Sequence, residues 1–164
     1  MMTIEFIARI FVAAVLGGLI GLEREYREKA AGLRTHFLVA LGSALFMIIS
    51  AYGFEGVLKD ENMRLDVSRI AAQVVSGIGF IGAGTIIFQK NAVHGLTTAA
   101  GVWVTAAIGL ACGAGLYVLS VVATVLVLVR MEAFNYVLRR LDRSKEGGTE
   151  HGNEVEDGSE DGAV

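Results

Sequence analysis

The sequence has no proline and only one cysteine among its 164 residues. Cys112 lies in an apolar run and has no second thiol, which excludes a disulfide framework and a thiolate metal site. The histidines His36, His94 and His151 are scattered and show no metal-ligand spacing. A basic excess is also missing, because the formal net charge is -3. This balance argues against a nucleic-acid-binding protein, which needs a basic face to meet phosphates.

Apolar residues are abundant and are gathered into long runs. They make up 54% of the sequence, and the mean hydropathy is +0.57. The runs are about as long as the hydrocarbon core of a bilayer requires. We therefore predict an all-α fold, a polytopic membrane bundle of five transmembrane helices. The helices are expected over residues 4–22, 33–54, 68–88 and the two halves of 95–130, which reverse direction at residues 113–115. A short turn is expected at residues 89–94.

The first apolar run has a second interpretation as a cleaved signal peptide. Glu5 accompanies the early positive charge of Arg9, no small-residue cleavage site follows, and further long apolar runs come later. These features favour a retained first helix.

Charge divides the chain into two parts and predicts its orientation. We assign residues 1–142 to a transmembrane domain and residues 143–164 to a disordered acidic tail, because the tail holds almost nothing apolar to bury. Lysine and arginine concentrate on one set of connecting segments, which the positive-inside rule places in the cytoplasm. The N-terminus is then expected outside and the tail inside.

Several glycines recur at helical spacing. Residues 77–82 match the dinucleotide-binding pattern G-x-G-x-x-G, but no strand precedes them and no carboxylate lies near residue 100. The alternatives are close helix packing, or a locally unwound helix that offers backbone groups to an ion. We expect hydrogen bonds from residues such as Thr105 to support the packing, and a dimer could use the same faces. The glycines predicted to pack are Gly17, Gly21, Gly77, Gly79, Gly82, Gly84, Gly101 and Gly109.

Polar side chains within or next to the apolar runs are candidates for a functional site, because such groups are unfavourable in hydrocarbon. Arg69 and Gln73 share a helix face, and Asp66 precedes them by one turn. Either these residues cap the third helix and form an ion pair at the membrane surface, or they form a polar lining that faces a cavity or a partner. Thr97 and Thr98 either cap the fourth helix or line a site. For Glu23, Arg24 and the nearby Arg34, the alternative is a solvated charge run at the membrane surface. The candidate polar site comprises Glu23, Arg24, Arg34, Asp66, Arg69, Gln73, Thr97 and Thr98.

Four blocks of sequence resemble the MgtC/SapB family. They are residues 17–24 (GGLIGLER), 31–36 (AGLRTH), 73–84 (QVVSGIGFIGAG), and 95–100 (GLTTAA) with Trp103 and 106–109 (AAIG). The likeness covers about residues 9–115 and implies a prokaryotic inner-membrane protein. Longer members add a folded cytoplasmic domain, whereas this sequence resembles the short, SapB-like form. Val67 follows Asp66 where the family often has proline, which implies a looser helix start.

The resemblance implies a link to magnesium homeostasis or growth at low magnesium, and for some members to virulence. It implies a regulator acting through membrane-protein contacts, with the ATP synthase as one such partner. The alternative is a transporter of Mg²⁺ or another small ion with a polar site between helices. We expect no enzyme, because no catalytic set or phosphate loop is apparent. No cofactor is expected, and Mg²⁺ is considered only as a ligand or signal. The lipid bilayer and a second copy of the chain are further expected partners.

Overall fold

A computed structural model describes residues 2–54, 66–89 and 91–146, except for the side chains of 132–146. Residues 55–65, between the second and third predicted helices, and residues 147–164 of the predicted acidic tail lie outside this part. The described elements are α1 (Met2–Tyr26), α2 (Leu33–Tyr52), α3 (Ser68–Ala83), β1 (Ile87–Gln89), β2 (Ala92–His94), α4 (Leu96–Gly113) and α5 (Tyr117–Glu146).

The predicted helical membrane fold is confirmed. Helices α1, α2 and α4 are long and apolar enough to cross a membrane. Helix α3 and the apolar part of α5, Tyr117–Met131, are shorter. The last two helices are separated at the predicted residues, because α4 ends at Gly113, α5 begins at Tyr117 and Gly115 between them has a φ of 83°.

The third helix ends earlier than predicted. Helix α3 stops at Ala83, and residues 87–89 and 92–94, assigned to helix and turn from the sequence, pair as antiparallel strands instead. Phe88 pairs with Val93 in the hairpin, and Asn91 adopts a φ of 63°, a conformation that asparagine tolerates in tight turns. The apolar run before the turn fits a strand as well as a helix, so its periodicity alone could not separate the two.

The chain divides into two compact units, residues 1–128 and 129–164. The first unit contains the bundle and the start of α5, where Ser120 and Thr124 are buried. The described part of the second unit is the remainder of α5, which continues to Glu146. The helix thus extends four residues beyond the boundary predicted at residue 142.

Helix α2 packs against glycine faces of α1 and α4. A Cβ at Gly17 would lie 2.5 Å from the Ala40 Cβ, and one at Gly21 would lie 2.6 Å from the Leu33 Cα. From α4, a Cβ at Gly109 would come within 2.8 Å of the Ser43 Cβ, so α2 approaches these helices too closely for a larger residue. Small residues permit such approach in membrane helices.

Helix α3 packs on α2 and α4 along a narrow strip. Its buried residues are Ile78 and Gly82, and Ile78 joins Val102 and Ala106 in a small apolar cluster. Ser50 of α2 also donates a hydrogen bond of 2.7 Å to the carbonyl of Val67, just before α3. Most of the remaining α3 surface is exposed.

The predicted glycine contacts differ within α3 itself. A Cβ at Gly82 would lie 3.4 Å from the Ala99 carbonyl oxygen, whereas one at Gly77 or Gly79 would meet no described atom within 4 Å. Gly84 ends the helix, and Gly101 is buried in α4. Helix α3 is continuous through residues 77–82, so the alternative of a locally unwound segment is wrong.

Candidate functional site

Arg24 of α1 and Thr98 of α4 meet inside the bundle. Each residue is only 4% exposed, and Arg24 Nη2 donates a hydrogen bond of 2.6 Å to Thr98 Oγ1. Arg24 lies in the last turn of α1 and Thr98 in the first turn of α4, so the packing of these antiparallel ends brings together two predicted site residues 74 positions apart.

The first turn of α4 has no side-chain cap. Gly95 is the residue before the helix, with a φ of 90°, and makes no side-chain hydrogen bond to it. The prediction that Thr97 or Thr98 caps the helix is wrong, because both follow its first residue, Leu96. The first backbone N–H groups of a helix have no partner within it, so this end presents free donors and a partial positive charge.

The carboxylates that neighbour Arg24 along α1 have other partners. Glu23 forms an ion pair with Arg27 one turn later on α1. Glu25 accepts a hydrogen bond of 2.7 Å from the Leu33 backbone N–H and so caps the start of α2. Among the described residues, Arg24 has no carboxylate within ion-pair distance, and its Nε is buried without a hydrogen-bond partner.

His36 is a buried residue that the sequence pattern did not single out. It is fully buried on α2, and its Nδ1 lies 3.0 Å from the Gly32 carbonyl oxygen. The other ring nitrogen, Nε2, is buried and has no hydrogen-bond partner. His36 interacts electrostatically with both Arg24 and Glu23. The available signal was its place in the block of residues 31–36 that resembles the family.

The other predicted site residues do not join this cluster. Arg34, Asp66, Arg69, Gln73 and Thr97 are all exposed. Arg69, Gln73 and Thr97 therefore do not converge with Thr98, since Thr98 is buried while the other three are at the surface.

Asp66 fixes the beginning of α3. Its Oδ1 accepts hydrogen bonds from the Ser68 N–H at 3.0 Å and from the Ser68 hydroxyl at 2.6 Å. These bonds hold the pKa of the Asp66 carboxyl below its ordinary value, and the nearby charge of Arg69 lowers it further. This geometry agrees with the capping alternative, although Asp66 and Arg69 form no ion pair among the described residues.

A second buried arginine, Arg9, lies near the other end of α1. It is 7% exposed, pairs with Glu5 and donates a hydrogen bond of 2.8 Å from Nη1 to the Gly113 carbonyl. Its guanidinium lies over the rings of Phe6 and Tyr52, at 5.7 and 5.5 Å from their centroids. Arg9 thus joins α1 to the C-terminal end of α4. A positive charge is favourable at that end of a helix. The spacing of Glu5 and Arg9 hinted at the ion pair but not at the contact with Gly113.

In the parts of the chain described, no group of three or more histidine, cysteine or acidic side chains is placed to hold a metal ion.

Comparison with known proteins identifies the family. A family model described as the MgtC family matches residues 10–140. The chain belongs to the MgtC family. A protein of Escherichia coli K12 named putative magnesium transporter YhiD is 54% identical over 140 residues, covering 85% of this chain and 65% of that protein. Protein MgtC of Brucella abortus is 48% identical over 129 residues, covering 79% of this chain and 49% of its own length.

An uncharacterized protein of Haemophilus influenzae is 43% identical over 141 residues, covering 85% of this chain and 59% of that protein. This MgtC-family chain therefore matches about half to two thirds of the length of these curated relatives. No solved structure gives a significant match.

Proposed function

We propose that this MgtC-family protein is a regulator of adaptation to low magnesium that acts by contact between α3 and another integral membrane protein. Family membership and the relative named as a putative magnesium transporter support the link to magnesium. The observation that carries the contact mechanism is the exposed side of α3. We define the open face of α3 as Arg69, Gln73, Ser76 and Phe80, with Gly77 beside them.

The open face suits a partner helix better than lipid. Gln73 and Ser76 are exposed polar residues on one side of an apolar helix. In hydrocarbon their polar atoms lack the hydrogen bonds that water would supply, and a polar group on a neighbouring helix can restore them. Phe80, 86% exposed, adds apolar area, and the space beside Gly77 allows close backbone approach. Another membrane protein can cover all of these groups together.

The transporter alternative receives less support from the same residues. Mg²⁺ prefers an octahedral shell of oxygen ligands and keeps several of its waters. The oxygens considered for such a site came from Gln73, Thr97 and Thr98, but the first two are exposed whereas Thr98 accepts a hydrogen bond from buried Arg24. These side chains do not surround one cavity, so contact regulation is the better-supported function.

Recovery of membrane partners from magnesium-starved cells tests the proposal. The tagged protein should retain a reproducible partner, and Gly77→Leu should reduce its recovery at least about fivefold by blocking close approach. The ATP synthase is the first candidate to look for. Gly42→Leu is the matched control, because a Cβ at Gly42 also meets no described atom within 4 Å but lies on α2.

Two results would contradict contact regulation. One is equal recovery of the partner with Gly77→Leu and Gly42→Leu, provided that both variants accumulate in the membrane. The other is magnesium flux into liposomes containing the purified protein that Gln73→Ala abolishes, which would favour the transporter.

A further inference from the structure

The two buried arginines of α1 differ in how their charge is balanced. Arg9 has a carboxylate partner, Glu5, and lies at the C-terminal end of α4, where the helix dipole is negative. Arg24 lies against the N-terminal end of the same helix, where the dipole is positive. The only hydrogen bond of its side chain among the described residues is the one to the Thr98 hydroxyl.

Arg24 is therefore a buried cation next to the positive end of a helix dipole. The last-turn carbonyls of α1 and the nearby carboxylate of Glu23 offset part of that charge, but Glu23 is also ion-paired with Arg27. An uncompensated charge removed from water is strongly unfavourable in a protein. An anion bound next to the Arg24 guanidinium would compensate the remaining positive charge.

The donors around Arg24 match the chemistry of an oxyanion. Arg24 Nε–H is buried without a partner, and the uncapped first turn of α4 supplies backbone N–H groups. The Thr98 hydroxyl accepts from Arg24 and keeps its own proton free to donate, since no other hydrogen bond from it is present among the described residues. A guanidinium beside a helix N-terminus is a favourable combination for binding phosphate groups.

We propose that Arg24, Thr98 and the first turn of α4 form a binding site for a phosphate group. The group comes either from free inorganic phosphate or from a phospholipid headgroup, because the end of a membrane-spanning helix lies near headgroup depth. The site is separate from the open face of α3, so it does not depend on the proposed partner contact.

Binding measurements on the purified full chain in dodecyl maltoside, a detergent without phosphate, test this site. Inorganic phosphate is titrated by calorimetry against chloride at constant ionic strength. In parallel, native mass spectrometry measures retention of phosphatidylglycerol against a phosphate-free glycolipid. Saturable binding of phosphate supports a free ligand, and selective retention of phosphatidylglycerol supports a headgroup ligand.

Matched variants connect the binding to the proposed residues. Thr98→Val keeps the side-chain shape and removes the hydroxyl, and it should weaken binding about tenfold. Thr97→Val is its control, because Thr97 is exposed in the same turn. Arg24→Gln should abolish binding, whereas Arg34→Gln, which alters an exposed arginine, should preserve it. Because loss of buried Arg24 can also weaken folding, the threonine pair is decisive.

The proposal is overturned if neither phosphate nor phosphatidylglycerol binds selectively and saturably. It is also overturned if Thr98→Val binds as tightly as Thr97→Val. Failure here with intact partner recovery would leave contact regulation standing, and the reverse result would leave the phosphate site standing.

Discussion

In α1 and α4 the glycines lie against α2, where a Cβ at Gly17 would come within 2.5 Å of the Ala40 Cβ. In α3, a Cβ at Gly77 or Gly79 would meet no described atom within 4 Å. The sequence shows the same kind of residue at helical spacing in both regions, yet Gly77 and Gly79 have no packing partner within the described chain. Glycine spacing therefore identifies a face that permits close approach, while the three-dimensional neighbours decide whether that face is occupied.

Alanine substitution should separate the two regions most clearly. Gly109→Ala places a methyl group 2.8 Å from the Ser43 Cβ and should destabilise the bundle by about 1–3 kcal/mol through overpacking. Gly79→Ala should leave stability unchanged or raise it by up to about 1 kcal/mol, because alanine is the better helix former. Unfolding in mixed detergent micelles measures both variants, and equal destabilisation would remove the distinction.

Gly95 tests a glycine that is required by backbone conformation. Its φ is 90°, and an added Cβ would lie 2.8 Å from the Thr85 carbonyl carbon. Gly95→Ala should therefore destabilise the protein by about 1–2 kcal/mol from conformation alone, with crowding added to it. The same unfolding measurement applies, and wild-type stability would show that the start of α4 relaxes without strain.

Much of the architecture could be predicted from the sequence, and the omissions have physical reasons. Apolar runs predict membrane helices because their length matches a bilayer, but Ile87 and Phe88 suit strand and helix equally. The pairing of Arg24 with Thr98 could not be read from spacing, because it depends on how the ends of α1 and α4 are aligned. The contact of Arg9 with Gly113 was missed for a similar reason, since it joins residues 104 positions apart in the sequence.

Gly82 differs from Gly77 and Gly79 of the same helix, because it faces α4. Its added Cβ would lie 3.4 Å from the Ala99 carbonyl oxygen, close to ordinary van der Waals contact. Gly82→Ala should therefore stay within about 0.5 kcal/mol of the wild type, because mild crowding opposes the gain in helix propensity. A loss as large as that of Gly109→Ala would mean that α3 is held as tightly as α2.

The smallest expected effect concerns the start of α3. Hydrogen bonds from Ser68 lower the pKa of the Asp66 carboxyl, so its contribution to stability is present above the ordinary carboxyl pKa. That contribution is lost as the pH falls through the lowered pKa. Asp66→Asn should flatten the acid limb of a pH titration of thermal stability, and an unchanged acid limb would contradict this role.

Photo-crosslinking in magnesium-starved cells shows whether the open face of α3 contacts another membrane protein. A benzophenone analogue of phenylalanine replaces Phe80 on the open face of α3 or, as a control, Phe11 on α1, which is 67% exposed. Contact regulation predicts a discrete crosslink to another membrane protein from position 80, and none to that protein from position 11. Crosslinks from position 80 to lipid alone, or the same products from both positions, would contradict it.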